Sequence, residues 1–303
     1  MDCVSSPTPD LAGEAQLRRY VVITPARNEG RDIEQTIQSV MCQTVRPSEW
    51  VIVDDGSTDE TGEILDRYAR RVPWITVLHR PDRGFRSPGG GVMEAFQDGY
   101  QALRVTDWEY VVKLDADLVP EPVYFENCLA HFASDASVGI GGGIVYTLCN
   151  GRPAVENNPA FHVRGATKIY RRACWEALGG LLPAPGWDTL DEVKANMLGW
   201  KTRSFKDVTV LQRRETGSND GAWRDYVKNG RANYITGYHP LFMLLKCLKR
   251  ATQRPYLVAS LGLAYGFVTS YWRNVCPVDD PALIHYVRTQ QIRRLLGKES
   301  IWK

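Results

Sequence analysis

The sequence predicts an α/β fold: a mostly parallel sheet flanked by helices, followed by a helical, basic extension. Three observations carry this. Short apolar runs that end at Pro, Gly or Asp recur near residues 20, 50, 74 and 109, which is how strands buried on both faces of a parallel sheet read. Stretches with apolar residues at helical spacing separate them. Beyond Glu215 the texture becomes aromatic and basic.

Taken in order, residues 20–24 (YVVIT) form a first strand that stops at Pro25. Ile33, Ile37, Val40 and Met41 then fall on one face of a helix. Residues 50–55 (WVIVDD) make a second strand, broken by Gly56. Ser57-Thr58-Asp59-Glu60 has capping-box spacing, so Ser57 is expected to cap a helix carrying Ile64, Leu65, Tyr68 and Val72. A third strand over 74–78, a third helix marked by Val92, Phe96 and Leu103, and a fourth strand over 109–115 follow. A helix is expected over 120–132, a strand over 138–146 and a late strand over 207–211. This alternation argues for βαβ units. In open sheets of that kind, ligands bind beyond the carboxyl ends of the strands, so the polar loops after residues 24, 54 and 114 should converge.

The chain has 303 residues, 44% hydrophobic and 24% charged, which excludes a disordered or collagenous chain and allows a sizeable core. Its net charge of +2 hides an asymmetry: residues 1–200 carry 19 Lys/Arg against 28 Asp/Glu, and residues 201–303 carry 18 against 7. The acidic part suits cations, and the basic part suits an anionic surface or a phosphorylated substrate. Seven Cys without a CxxC pair argue against a zinc site and a disulfide framework, and so for a reducing compartment. Residues 1–18 lack the basic and apolar regions of a secretory signal and read as a short mobile tail.

Five segments could carry chemistry. In Lys113-Leu114-Asp115-Ala116-Asp117 the carboxylates stand two residues apart and face one way if extended. Such oxygen donors suit Mg²⁺ or Mn²⁺, and the small Ala116 lets a nucleotide approach. Asp54 and Asp55 end the second strand, where they could accept from a base imide or a ribose hydroxyl. Pro25-Ala26-Arg27-Asn28-Glu29 follows the first strand and could meet a ribose or a base. Gly89, Gly90 and Gly91 precede a helix as phosphate-cradling segments do, with Arg83 or Arg86 to neutralise a diphosphate. No GxGxxG or GK[ST] pattern is present. Asp188 in Gly186-Trp187-Asp188-Thr189-Leu190-Asp191-Glu192 opens a helix. It could cap that helix or act as a general base, with Trp187 or Trp200 stacking on a sugar.

In this order the motifs ITPARNEG, VDDGSTDET, KLDADLVP and GWDTLDE followed by Gly199 resemble family 2 glycosyltransferases of the GT-A fold, over roughly residues 19–215. The resemblance implies a Rossmann-like sheet, a nucleotide-sugar donor and single displacement with inversion. It also implies that Pro25 to Glu29 (Ala26 and Arg27 included), Asp54 and Asp55 hold the nucleoside. Asp115 would touch ribose or metal, and Asp117 would ligate Mn²⁺ or Mg²⁺. Asp188 would be the base, with Asp191 as the alternative because Trp187 replaces the family's preceding acid. The histidine many members carry after the late strand is absent, so Gln212 is the substitute metal contact, or Arg213 and Arg214 meet the diphosphate directly.

Residues 246–254 hold four basic side chains, and residues 255–272 carry no charge. That segment could be interfacial, core or spanning. Peripheral contact through 246–273 with the cytoplasmic face of the plasma membrane is the expectation. The acceptor is expected to be a saccharide or a lipid-linked saccharide in cell-surface polysaccharide synthesis, and no nucleic-acid partner is expected. Two rivals stand beside this reading. A nucleotidyltransferase would want a Gly-rich basic loop after the first strand, where PARNEG stands instead. A non-catalytic sugar-nucleotide-binding module would bind without turnover. The expected division is a tail over 1–18, a catalytic domain over 19–215 and an extension over 216–303.

Overall fold

A computed structural model describes residues 19–84, 90–149, 152–155, 158–181, 185–213, 221–252 and 256–302. The expected tail, Arg86 and Arg214 lie outside these residues. The first half of the chain lays down β1 (Tyr20–Ala26), α1 (Ile33–Met41), β2 (Glu49–Asp54), α2 (Thr61–Ala69), β3 (Ile75–His79), α3 (Gly90–Gln101) and β4 (Tyr110–Leu114). Then come β5 (Leu118–Pro120), α4 (Tyr124–Ser134), β6 (Val138–Cys149), β7 (Arg152–Val155), β8 (Thr167–Arg171), α5 (Arg172–Leu178), α6 (Trp187–Met197) and β9 (Lys201–Gln212). Four helices follow: α7 (Ala222–Ile235), α8 (Pro240–Ala251), α9 (Val258–Trp272) and α10 (Pro281–Leu295).

All the described strands join one sheet in the order β3-β2-β1-β4-β8-β6-β9-β5, with β7 on β6. β1 pairs in parallel with β2 and β4, and β2 with β3. These strands therefore bring their carboxyl ends to one edge, as the sequence requires. The other half is mixed: β8 runs antiparallel to β4 and β6, while β6 and β9 are parallel. β7 and β8 both run antiparallel to β6.

Alternation along each strand splits the core into two faces. Val22, Ile52, Val112 and Ile169 pack under α1, α2 and α4. Val21, Ile23, Val111 and Tyr170 pack under α3, α5 and α6. The sequence pattern located β1 to β4 but not β5, β7, β8 or α5: β5, β7 and α5 are short, and β8 carries Lys168 and Arg171 among its apolar residues. The late strand begins well before residue 207. Its pairing with β6 shifts register between Phe205 and Thr209, and this irregularity hides the alternation. Ser57 does not cap α2 as expected. Its hydroxyl accepts from the Asn28 backbone N–H at 3.0 Å, and Asp59 Oδ1 accepts from the Thr61 N–H at the helix start at 3.0 Å instead.

The last four helices gather on the outer side of α6, around Leu190, Val193, Tyr238, Leu263, Phe267 and Trp302. The uncharged segment over 255–272 supplies α9, a 15-residue helix. Among the described residues no helix is long and apolar enough to cross a membrane. The inner face of α9 meets α7 at backbone contact, since a β-carbon on Gly266 would lie 2.1 Å from the Val227 carbonyl oxygen. Its outer face leaves Leu261, Tyr265, Val268 and Trp272 exposed.

Candidate active site

The loops after β1 and β2 are knitted into one surface. The Asp55 N–H donates to the Ala26 carbonyl at 2.8 Å. Arg27 donates to the Asp55 carbonyl and, at 2.6 Å, to Asp82. Asn28 sits at φ 55° and its side-chain oxygen accepts from the Thr58 N–H at 2.8 Å. The Glu29 N–H donates to Thr61 Oγ1 at 2.8 Å. Both aspartates after β2 are spoken for within this surface. Asp54 accepts from the Ser57 N–H and meets His79 Nδ1, each at 2.9 Å. Asp55 pairs with Arg80 at 2.7 Å and with Arg83. Pro25, at the end of β1, is half-buried in the same surface.

After β4 the chain turns through Asp115, Ala116 and Asp117. Ala116 is buried, and its carbonyl accepts from Thr36 at 2.7 Å. Asp115 remains partly exposed. Its carboxylate accepts from Lys113, and its N–H donates to the Ala166 carbonyl at 2.8 Å. Asp117 is buried. The pairing of β5 with β9 sets Leu118 opposite Gln212, which brings the Gln212 amide to 3.2 Å from Asp117. Gln212, named above in place of the missing histidine, thus donates to Asp117 through its amide nitrogen. Arg213, the alternative, is engaged with Asp32 at 2.6 Å.

The carboxylate oxygens of Asp115 and Asp117 are of the kind that hard divalent cations take, while Gln212 turns its amide nitrogen to Asp117. Among the described residues no group of three or more His, Cys, Asp or Glu could enclose a metal. A cation at Asp115 and Asp117 would therefore need ligand or water oxygens to complete its shell.

The turn before α6 lies next to this site. Gly186 enters the helix at φ 84°, a conformation that costs glycine little. Asp188 falls in the first turn and stays partly accessible. Gly165 packs beneath it, where a β-carbon would lie 3.2 Å from the Asp188 β-carbon. The Gly165 carbonyl in turn accepts from Lys113 Nζ at 2.6 Å. One short strap, Gly165-Ala166, thus touches both Asp115 and Asp188.

Beneath Asp188 lies a buried ionic cluster that the sequence did not reveal. Lys168 is fully buried. Its ammonium donates to the Asp188 carbonyl, to Asp191 at 2.8 Å and to Glu192 at 2.8 Å. Asp191 also accepts from Tyr170, and Glu192 from the Val163 N–H at 2.7 Å and from His162 at 2.9 Å. Burial raises the Asp191 carboxyl above its ordinary value, and Lys168 only partly offsets this because it is shared with Glu192. Burial pulls the His162 imidazolium down, but Glu192 outweighs it, so its pKa is raised. Asp191, the alternative base, is 1% exposed inside this cluster. Trp187 is not an open platform either: it is 8% exposed, with Lys113 and Lys168 each 5.4 Å from its ring centroid. Trp200 packs against the core around Trp108 and Trp175.

A cavity of ≈ 890 Å³ opens beside Asp188 and His162, between α6 and helices α7, α8 and α10. Its lining includes Asp188 and Thr189 but not Asp115, Asp117 or the loops after β1 and β2.

The glycosyl transferase family 2 model matches residues 21–179. The chain belongs to glycosyl transferase family 2. This family 2 chain is 29% identical over 131 residues to glycosyltransferase GlyG of Streptococcus pneumoniae serotype 4, covering 43% of this chain and 40% of that protein. It is 30% identical over 127 residues to a chondroitin synthase of Escherichia coli, covering 41% and 17%. The match thus spans less than half the length of these relatives. Among solved structures it resembles mannosyltransferase PcManGT from Pyrobaculum calidifontis, in complex with GDP-Man and Mn²⁺. The TM-score is 0.54 at 18% identity, covering 93% of this chain and 88% of that one. It also resembles S. aureus TarS in complex with UDP-GlcNAc, with a TM-score of 0.52 at 18% identity, covering 92% and 86%. These likenesses show the GT-A fold.

Removing one member of a buried ion pair leaves an uncompensated charge, at a cost of about 3–5 kcal/mol. Lys168→Met should therefore destabilise the protein by about that amount in chemical denaturation. Adding Asp191→Asn to it should recover part of the loss. Strict additivity of the two changes would show that the cluster is not coupled.

Proposed function

We propose that this family 2 member is an inverting, metal-assisted glycosyltransferase. It would move a sugar from a nucleoside-diphosphate donor to a hydroxyl of a saccharide or lipid-linked acceptor, in cell-surface polysaccharide synthesis. The observation that carries this reading is the Gly165-Ala166 strap. It holds the Asp115 backbone and packs under Asp188, so a donor seated at the carboxyl edge of β4 has its sugar beside Asp188. The GDP-Man and UDP-GlcNAc in the complexes of the two fold neighbours support the donor class.

In the proposed step Asp188 takes the proton of the acceptor hydroxyl while that oxygen bonds to the anomeric carbon. The bond from that carbon to the diphosphate breaks, and the nucleoside diphosphate leaves with the electron pair. A general base of this kind contributes ~10²–10⁴ in rate, or about 3–5 kcal/mol of barrier. Asp191 acts as a positioning residue in this reading, since Lys168 and Tyr170 occupy its carboxylate. The loops over Pro25 to Glu29 and Asp54 to Asp55 would hold the nucleoside. Mn²⁺ or Mg²⁺ held by Asp115 and Asp117, with Gln212 beside them, would when bound neutralise charge on the diphosphate.

The reading extends to peripheral attachment on the anionic cytoplasmic face of a membrane. Leu244 and Leu248 on α8 and Leu261, Tyr265 and Trp272 on α9 are exposed. Lys249, Arg250 and Arg273 are exposed near the ends of these helices. Each basic residue near such a surface adds ~1 kcal/mol.

Asp188→Asn should retain nucleotide-sugar binding and lose ~10²–10⁴ in transfer rate, measured by nucleoside diphosphate release with acceptor present. Undiminished transfer would remove Asp188 from the base role. In a separate flotation assay the protein should bind vesicles containing phosphatidylglycerol and not vesicles of phosphatidylcholine alone. Leu244→Ser with Leu248→Ser should release it. Equal recovery with both vesicle types would contradict an electrostatic contribution.

A further inference from the structure

We infer that the cavity between α6, α7, α8 and α10 binds the phosphate of an anionic acceptor, at a subsite separate from the one for the donor diphosphate. This rests on the transferase reading. The cavity, ≈ 890 Å³, falls in the range that takes a ligand of several hundred daltons. One wall carries Asp188 and Thr189, so a bound molecule can reach the proposed base. The opposite side is cationic: Lys246, Lys249, Arg250 and Arg294 all line it. Among the described lining residues Asp188 is the one carboxylate. Four cations gathered round a single cavity repel one another, and an anion between them relieves that repulsion.

The inner lysine points to an oxygen-rich ligand. Lys246 is half-buried and is held by the Asn233 side-chain oxygen at 3.4 Å, with the Tyr238 ring centroid at 5.1 Å. Burial foremost, and then the Arg250 charge, pull its pKa down to about 8, which a phosphate would reverse. Asn233 is 9% exposed, and its side-chain Nδ2 has no hydrogen-bond partner. A buried donor without an acceptor is costly, and it lies beside an ammonium in the same cavity. Phosphate oxygens would pair with the Lys246 ammonium, and the guanidinium forks of Arg250 and Arg294 match the same geometry. Apolar Phe242, Leu245 and Leu295 complete the lining and suit a hydrocarbon attached to that phosphate.

Isothermal titration of the full chain in EDTA tests this with inorganic pyrophosphate as the probe. The wild-type chain should bind it. Lys246→Met should weaken binding about tenfold, the loss of one charge-assisted hydrogen bond. Lys249→Met with Arg294→Met, at exposed positions that leave folding untouched, should weaken it by at least about as much. Binding of UDP or GDP with Mn²⁺ should be unchanged in every variant. Geranyl diphosphate separates the two sources of the phosphate: tighter binding than pyrophosphate marks a lipid-linked acceptor, and equal binding marks a phosphorylated saccharide. Pyrophosphate affinity unaltered in both variants, or tighter binding of glucuronate than of pyrophosphate, would overturn the subsite. If neither UDP nor GDP bound to the wild-type chain, the transferase reading would fail by itself while the titration still decided the subsite.

Discussion

The ammonium group of Lys168 sits where three parts of the molecule must meet. It leaves β8 and grips the Asp188 carbonyl, Asp191 and Glu192, all on α6. Antiparallel pairing of β4 and β8 sets it opposite Lys113, another buried lysine. Like charges directly opposite in a sheet destabilise it. The site resolves the conflict by giving each ammonium its own carboxylates: Asp115 for Lys113, Asp191 and Glu192 for Lys168. Trp187 lies close to both. The consequence is geometric. The end of β4 and the start of α6 are fixed relative to one another, and with them Asp115 and Asp188.

In the proposed step this constraint also divides labour between neighbouring acids. Asp188 and Asp191 stand one helical turn apart, and sequence alone allowed either as the base. Burial separates them, because Asp191 sits within hydrogen-bond reach of Lys168 and Tyr170 while Asp188 faces the cavity. On the far side of that cavity the C-terminal helices close the site. Their inner faces complete a hydrophobic core with α6, and their outer faces leave rows of leucine exposed. The charge asymmetry of the chain thus has a location: the basic residues of α8 and α10 surround a space that reaches the acidic half.

Much of the fold could be read from the chain because the strands of its parallel half are continuous apolar runs and their ends carry the acidic loops. Asp117 and Gln212 could be paired in advance only through a family pattern, since 95 residues separate them. Lys168, Glu192 and His162 could not be found. A lysine inside Thr167-Lys168-Ile169-Tyr170-Arg171 looks like a surface residue until β4 and α6 are packed against it. Trp187 misleads for a related reason: beside an acidic turn it suggests a sugar platform, yet it is buried with Lys113 and Lys168 near its ring. Asp54 and Asp55 were found as strand-end acids, but their ties to His79, Arg80 and Arg83 depend on contacts across β3 and the loop after it.

The central claim is that Asp188 and the carboxylates after β4 act on one sugar in a single displacement. The anomeric configuration of the first-formed product tests it most directly, followed by proton NMR during turnover with an α-linked nucleotide sugar. The account predicts a β-linked product from the earliest time points. An α-linked product, with configuration retained, would contradict it.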